Sequence, residues 1–399
     1  MQVGESLGAQ YVLTGSVERK GGRVRVRAKL LETRDGREIW SKAYEGEESH
    51  VLLLQSEITG EIEGVVAGRL DRPRTADGNV ALTLSEYQAY DLYLRGRYFW
   101  NKRTADGFSR AAKYFNEAVE KDPNYARAYA GLADCYSLMS GYELEPNKEA
   151  MPKARRAAKR ALELDPDSAE AHTSMALITQ NFDWDWKKAE QEYRRAIELN
   201  PNYATAHHWY AEALALQGRF EEAFREIDEA RRLDPLSLII LTDRGAFLYF
   251  ARQYDPAIEQ FRSVLEMEPG FGRARMLVLA YEEKQKYAEA LAEIEDWRRV
   301  ESGPWQETFE SNVNGRAGNL KIARESFKRL RESAKGGRKI SGELAIAALG
   351  LGDKEKAIQY LQQSYADRSI NTAIKVDPVY DPLRNDARFQ AMLKGMGLQ

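Results

Sequence analysis

Residues 200–235 have the sequence NPNYATAHHWYAEALALQGRFEEAFREIDEARRLDP, which decides the fold of this 399-residue chain. The stretch begins with Asn200-Pro201 and ends with Asp234-Pro235, so a proline lies at each end of it. Between them, apolar residues recur at intervals of three and four, which is the pattern of amphipathic helices. Because proline is excluded from helix interiors, each dipeptide marks a turn. The stretch therefore predicts one antiparallel pair of helices.

The same unit recurs along the chain. Its prolines follow an acidic residue or Asn at Asp122-Pro123, Asp165-Pro166, Asn200-Pro201, Asp234-Pro235 and Glu268-Pro269. Successive prolines are 43, 35, 34 and 34 positions apart, which is one period with an insertion of nine in the first copy. The second helix of each unit carries a small residue four positions before a larger one, most clearly at Ala111/Phe115, Ala189/Tyr193, Ala223/Ile227 and Ala257/Phe261. Such a period indicates stacked helix pairs, because a lone pair cannot cover its own apolar face.

The pattern resembles the tetratricopeptide repeat, whose period is about 34 residues. The resemblance implies a mainly α protein, an α-solenoid of about eight helix pairs over residues 84–368. Residues 369–399 are expected to cap the last repeat, since its stacking face would otherwise be wet. In that segment Asp386 is expected to N-cap a final helix whose apolar face carries Phe389, Met392, Leu393 and Met396.

Ahead of the repeats, the apolar period changes to two. Residues 11–17, 23–31 and 38–44 are predicted to form a three-stranded antiparallel meander. Gly21-Gly22 and Asp35-Gly36 are predicted to form two-residue hairpin turns. A helix from about residue 50 to 70 completes a small α+β domain over residues 1–70, and residues 71–83 have the composition of a linker.

Parts of both regions carry a second resemblance. Residues 7–17, 24–26 and 39–40, followed by 183–190 and 206–210, are similar to a bacterial architecture in which a TolB-like domain precedes tetratricopeptide repeats. The resemblance implies that such a region follows an output module, which is a CadC-type winged-helix domain, a Ser/Thr protein kinase or a nucleotide cyclase. TolB-like domains of this family begin with a further strand and helix, so residues 1–70 are interpreted as a partial domain without the output module.

Composition restricts the function further. The chain has 59 Lys and Arg against 62 Asp and Glu, a net charge of −3, which argues against direct binding of nucleic acid. No apolar run reaches the roughly 18–20 residues that span a bilayer, and no signal peptide is visible. The cytoplasm is therefore the expected compartment, with the periplasm as the alternative if a membrane span lies upstream.

Motifs for catalysis or metal binding do not fit their structural context. Residues 4–8 match the nucleophile-elbow string G-x-S-x-G, but a strand follows where the elbow needs a helix. His172 and His207 occupy the same first-helix site in adjacent repeats, and helices about 8–10 Å apart do not bring such side chains to one zinc ion. The sequence predicts no catalytic residue, no metal and no cofactor.

First helices line the concave surface of such arrays, and the repeat register predicts a groove for a protein or peptide there. Its mixture of acidic and aromatic side chains favours a partner with basic or apolar features, and Trp209 is the strongest single candidate for a ligand contact. The predicted groove residues are Asp134, Ser174, His208, Trp209, Glu212, Asp243, Tyr249, Arg275 and Glu282.

The sequence thus predicts a non-catalytic interaction scaffold, the sensor or interaction part of a bacterial signalling or transcriptional regulator. Two alternatives remain open. One is a regulatory fragment of a larger enzyme, a Ser/Thr protein kinase or a nucleotide cyclase. The other is an envelope-associated assembly factor.

Overall fold

The computed structural model describes residues 10–47, 84–139, 142, 144–300, 303–334 and 340–399, and the single positions 58, 61, 62 and 65. The chain forms two compact units. One comprises residues 1–95 and 117–125, and the other comprises residues 96–116 and 126–399.

The first unit contains a three-stranded antiparallel sheet in the order β1–β2–β3. Alternate residues of β2 are buried, among them Val24, Ala28 and Leu30, whereas the arginines between them are exposed, as the period of two predicts. The predicted meander is confirmed, with longer strands than expected. The strands are β1 Tyr11–Lys20, β2 Arg23–Glu32 and β3 Glu38–Glu47.

The two hairpin turns of the sheet differ. Gly21-Gly22 forms the predicted two-residue turn, with φ of 58° and 75°. The prediction of a two-residue turn at Asp35-Gly36 was wrong. Four residues separate Glu32 and Arg37, which are joined by a 2.9 Å backbone hydrogen bond, because the pairing register of β2 and β3 shifts just before the loop.

The predicted helix from about residue 50 to 70 falls mostly outside the described residues, of which Ile58, Glu61, Ile62 and Val65 are helical. The predicted linker over residues 71–83 lies outside them entirely.

Seventeen helices follow in the described part of the chain, and the first sixteen form eight successive pairs, so the predicted solenoid of about eight pairs is confirmed. Pair 1 is α1/α2 and pair 8 is α15/α16. None of the described helices is both long enough and apolar enough to cross a membrane. The helices α1 to α17 are, in order, Leu84–Trp100, Ala105–Lys121, Ala126–Met139, Asn147–Leu164, Ala169–Ile178, Trp186–Leu199, Ala204–Leu216, Phe220–Leu233, Leu238–Phe250, Tyr254–Met267, Leu277–Glu283, Tyr287–Val300, Pro304–Arg316, Leu320–Ala334, Ser341–Gly350, Lys354–Ala366 and Ala387–Gly395.

The turns have a local cause. Second helices end at Asp165, Asn200, Asp234 and Glu268, whose φ values lie between −136° and −144°, because the proline that follows each one disfavours helical backbone. Within the pairs, the chain reverses through one residue in the left-handed region, and this residue recurs every 33 or 34 positions. These residues are Trp184, Gly218, Arg252, Gln285, Gly318 and Gly352.

Close packing within and between pairs uses the small residues of the repeat. A Cβ atom at Gly245 would lie 2.8 Å from the Phe261 ring, and one at Gly131 would lie 2.7 Å from the Phe115 ring. Both rings are fully buried. Glycine therefore lets a first helix approach an aromatic side chain of a second helix, which gives the interior its native density.

The end of the chain packs against pair 3. Tyr365 stacks on Trp184 with ring centroids 5.0 Å apart, and the Arg368 guanidinium lies 3.8 Å from the Trp184 ring. Trp186 Nε1 donates a 2.6 Å hydrogen bond to the Met396 carbonyl. The structure thus places the predicted capping segment, residues 369–399, beside Trp186, which lies 210 positions before Met396.

The same segment also contacts pair 5 and ends in the predicted helix. Tyr249 donates a 3.0 Å hydrogen bond to Asp377 Oδ1, and Arg252 forms a 2.8 Å ion pair with Asp381. The predicted N-cap is confirmed, because the Asp386 side chain accepts a hydrogen bond from the Arg388 amide at the start of α17.

Candidate partner-binding groove

The nine predicted groove residues lie on the first helices of pairs 2 to 6, or just ahead of α11 in the case of Arg275. Eight of them are buried, and Glu212 is half-buried. Every one of the eight except Trp209 has a polar side-chain contact with another part of the chain. The structure brings six of the nine together, and these are Asp134, Ser174, His208, Trp209, Glu212 and Asp243.

Asp134 forms the first polar contact of this assembly. Arg97 Nη1 lies 3.2 Å from Asp134 Oδ2, and Ser174 Oγ donates a 2.6 Å hydrogen bond to Oδ1. Burial raises the pKa of Asp134 to about 6, although Arg97 and Ser174 both favour its ionised form. The carboxyl group is buried, and the side chain of Arg97 beside it is 21% exposed.

Asp243 forms the second contact. His208 Nε2 lies 2.7 Å from Asp243 Oδ2, and Arg273 Nε donates a 2.9 Å hydrogen bond to Oδ1. Burial opposes the ionisation of Asp243, but Arg273 and His208 outweigh it and lower its pKa to about 2. Burial and the charge of Asp243 raise the pKa of the neighbouring Glu212.

Two tryptophans from different pairs meet between these carboxylates. Trp100, at the end of α1, lies with its ring centroid 6.2 Å from that of Trp209. Arg97 and Arg103 stack on Trp100 at 4.2 and 3.7 Å from its ring. Trp209 is only 2% exposed, so its ring is covered by the chain's own Trp100.

Arg103 occupies the turn between α1 and α2. Its φ of 53° places a non-glycine residue in the left-handed region, and its side chain is half-buried. Burial lowers the pKa of Arg103 to about 10, and the positive charges of Arg97 and Arg273 act in the same direction. Within the described residues its guanidinium has the Trp100 ring as its close partner and no hydrogen bond to a carboxylate.

The sequence missed Arg97, Trp100, Arg103 and Arg273. A signal for the arginines does exist, because a carboxylate placed on a buried helix face needs a cation or a donor. The register alone does not identify which arginine supplies it. We define the groove cluster as Arg97, Trp100, Arg103, Asp134, Ser174, His208, Trp209, Glu212, Asp243 and Arg273.

The accessible chemistry of the groove cluster differs from the prediction. The Arg273 side chain is 45% exposed, whereas that of Asp243 is 4% exposed. Asp134 is 2% exposed behind the more accessible Arg97. The expected acidic character of the groove is therefore not met at Asp134 and Asp243, because both carboxylates are buried and paired with arginines.

The three remaining predicted residues have separate partners. Tyr249 donates a hydrogen bond to Asp377 in the predicted capping segment. Glu282 accepts two 2.8 Å hydrogen bonds from Asn312 Nδ2, and burial raises the pKa of Glu282 to about 8. Arg275 pairs with Glu293 at 2.7 Å, away from the groove cluster.

The described residues offer little for bond-making chemistry. Among them, no group of three His, Cys, Asp or Glu side chains is arranged to hold a metal ion. Burial raises the pKa of Cys135, so its thiol is a poor nucleophile. Stacked helix pairs of this kind generally bind other molecules without catalysis.

Comparison with known families agrees with the fold. A family model described as tetratricopeptide repeat matches residues 93–137, 185–237 and 312–388. These matched segments, which together make up less than half of the chain, carry tetratricopeptide repeats. Proteins with these repeats generally mediate protein–protein interactions.

Two curated proteins are similar to part of the chain. One, from Rhizobium meliloti, has a provisional name as adenylate cyclase 3 and is 28% identical over 185 residues. The other is the transcriptional regulator HilA of Salmonella typhimurium, 26% identical over 178 residues. Each match covers 44% of this chain but only 30% and 32% of the relative. The chain thus matches about a third of the length of these relatives.

Among solved structures, a monomeric mutant of human IFIT1 with m7Gppp-AAAA resembles the chain with a TM-score of 0.52 and 15% identity. The resemblance covers 86% of this chain and 77% of that one. At this level of identity, the likeness supports the solenoid fold alone.

Proposed function

We propose that this tetratricopeptide repeat protein is a non-catalytic scaffold that holds a protein or peptide segment at its groove cluster. The observation that carries the proposal is the stacking of Arg97 and Arg103 on Trp100, which meets Trp209, together with Arg273, whose charge acts on Arg103. Aromatic and Arg side chains are the residues that most often dominate protein interfaces.

The arginines also define the chemistry of the partner. Arg273 directs Nε and Nη2 to a single oxygen of Asp243, so other N–H groups of its guanidinium remain for a ligand. Arg103 adds a half-buried cation with no hydrogen bond to a carboxylate in the described residues. Because Arg97, Arg103 and Arg273 bring three positive charges to the groove cluster, we infer that the groove binds an acidic segment of a partner protein.

A binding experiment tests this proposal. Fluorescence polarisation would compare acidic, basic and neutral peptide libraries, each with and without aromatic residues, on the full chain. We expect acidic peptides to bind best. The double variant R103A/R273A should lower the affinity for these peptides at least tenfold. R299A is the matched control, because Arg299 is 78% exposed and its one ion pair within the described residues is with Asp296 on its own helix. Equal binding of the three libraries, or equal loss in the control, would refute the groove assignment.

We further infer that the chain is the sensor or interaction part of a larger bacterial regulator. The similarity to part of HilA, a transcriptional regulator, supports this inference. The similarity to part of a protein named as an adenylate cyclase favours the alternative, a regulatory region of a nucleotide cyclase.

The native product distinguishes these proposals. An immunoblot against the repeats, with peptide mapping of the amino terminus, would measure its length in its own cell. A product well above the mass of these 399 residues supports the regulator, and the added sequence separates a DNA-binding output from a cyclase. A product of this length alone leaves the scaffold proposal standing and contradicts the larger regulator.

A further inference from the structure

Three pairs carry a cationic or titratable side chain at one repeated position, which lies on the first helix in pairs 3 and 4 and just ahead of it in pair 6. From His172 in pair 3 to His207 in pair 4 is one period of the repeat, and from His207 to Arg275 in pair 6 is two periods. Each side chain contacts the carbonyl of the proline six residues earlier and a glutamate on the second helix of its own pair. We call these three residues the staple positions, because each one ties a pair's entry turn to its second helix.

The two histidine staples have nearly identical geometry. In pair 3, His172 Nδ1 lies 2.6 Å from Glu192 Oε2, and Nε2 lies 3.1 Å from the Pro166 carbonyl. In pair 4, His207 Nδ1 lies 2.6 Å from Glu226 Oε2, and Nε2 lies 3.0 Å from the Pro201 carbonyl. Both ring nitrogens of each histidine therefore face oxygen atoms.

These oxygens restrict the charge of the ring. A carbonyl and an ionised carboxylate only accept hydrogen bonds, whereas a neutral imidazole has a single N–H to donate. Both contacts can be hydrogen bonds at once only if the ring carries two protons. The geometry of His172 and His207 is therefore that of imidazolium.

The staple of pair 6 gives independent support for a cation at this position. Arg275 Nη1 lies 2.7 Å from Glu293 Oε2, and Nη2 donates a 3.2 Å hydrogen bond to the Pro269 carbonyl. The side chain of Arg275 makes the same two kinds of contact, and arginine is always charged at physiological pH. The staple position thus accommodates a permanent cation where the other two pairs have histidine.

We propose that His172 and His207 are proton-dependent staples, which hold pairs 3 and 4 closed as imidazolium and release them as the pH rises. Pair 6 has an arginine at the same position, so its staple does not depend on the protonation of a histidine. The chain would then respond to pH at two adjacent pairs that also carry His208, Trp209 and Glu212 of the groove cluster.

The surrounding charges agree in direction. The hydrogen bond with Glu192 raises the pKa of His172, against burial and the positive charge of Arg195 on the same second helix. Burial lowers the pKa of His207. Glu226, the Pro201 carbonyl and the more distant Glu229 raise it by more than burial lowers it. Both pKa values therefore lie above the ordinary 6.5.

The sign of the pH dependence follows from these shifts. A group whose pKa is higher in the folded than in the unfolded state stabilises the fold fully below the unfolded value, about 6.5 for histidine. That stabilisation is lost as the pH rises through the folded pKa. We therefore expect the two staples to weaken from about neutral pH upward.

Titration of the wild-type chain gives the first test. The chain has four histidines, so selective labelling of the imidazole carbons yields few NMR signals. We expect the signals of His172 and His207, assigned with single variants, to titrate above pH 6.5. Titration of both rings at or below that value would overturn the proposal.

Thermal unfolding of variants gives the second test. Asp134, Asp377 and Glu282 also have pKa values raised into this range, so only differences between proteins are informative. We expect the Tm of H172R/H207R to fall less than that of the wild type between pH 6 and 8.5. The Tm of R275H, which makes the reverse exchange, should fall more. Parallel profiles for all three proteins would overturn the proposal, and the NMR titration decides the matter if the double variant does not fold.

Discussion

The staple positions and the groove cluster both place ionisable side chains on or next to first helices, but they take their partners from different distances along the chain. A staple reaches a proline six residues away and a glutamate 18 to 20 residues away, always within one pair. The groove cluster joins residues of different pairs that are 30 to 109 positions apart, from pairs 1 to 6. The staples therefore repeat with the sequence period, whereas the groove cluster occurs once.

This difference has energetic consequences. Staple residues lie at pair edges where water reaches part of the glutamate, 22% exposed for Glu192 and 28% for Glu226. Asp134 and Asp243 are almost completely buried, so loss of a partner leaves a charge that water cannot solvate. Substitutions in the groove cluster should therefore lower the stability more than substitutions at exposed ion pairs.

The largest effect is expected for D243A. The substitution leaves Arg273 and His208 without their shared buried carboxylate, and breaking such a pair costs about 3–5 kcal/mol. Urea unfolding at pH 7 would measure the loss. The control is D228A, because Asp228 is 42% exposed and its pairs with Arg231 and Arg244 should contribute no more than about 1 kcal/mol. Equal losses of unfolding free energy in D243A and D228A would show that the ion pairs of the groove cluster contribute no more than exposed ion pairs.

An intermediate effect is expected for D134N, and it depends on pH. Because burial raises the Asp134 pKa from 3.8 to about 6, the folded state holds this proton more tightly, and stability falls as the pH rises between those values. At about 1.4 kcal/mol per pKa unit, the loss is on the order of 3 kcal/mol. D134N should remove this part of the pH profile, whereas D106N, at a site 78% exposed, should not. If the pH dependence of stability were unchanged in D134N, Asp134 would not be the group whose titration lowers the stability.

A smaller effect is expected for Y249F, which tests the docking of the chain's end. Loss of the hydroxyl removes one buried hydrogen bond to Asp377 and should cost about 1–2 kcal/mol. Chemical denaturation would measure this cost, and proteolysis near residue 377 would show whether the segment detaches. Y254F is the control, since that hydroxyl has only a 3.4 Å contact with the exposed Arg252. Indistinguishable variants would mean that the segment is held by its other contacts.

Much of the fold was predictable from the sequence, because its signals act over short distances. The five acidic-or-Asn-Pro dipeptides and the recurring Ala at second helices gave the period, and the hairpin at Gly21-Gly22 gave the first turn of the sheet. The candidate site was predictable only in part. Asp134, His208 and Asp243 were identified from their register, but their arginine partners were not.

The sequence by itself determined the helix pairs, their turns and the staple positions, since each of these depends on backbone sterics and apolar periodicity within about one repeat. Only the tertiary structure decided that Trp100 covers Trp209, that Arg97 and Arg273 cover the acidic residues, and that Trp184 receives Tyr365 and Arg368. Those contacts depend on the small rotation between successive pairs, which accumulates along the array and is not encoded at any single position.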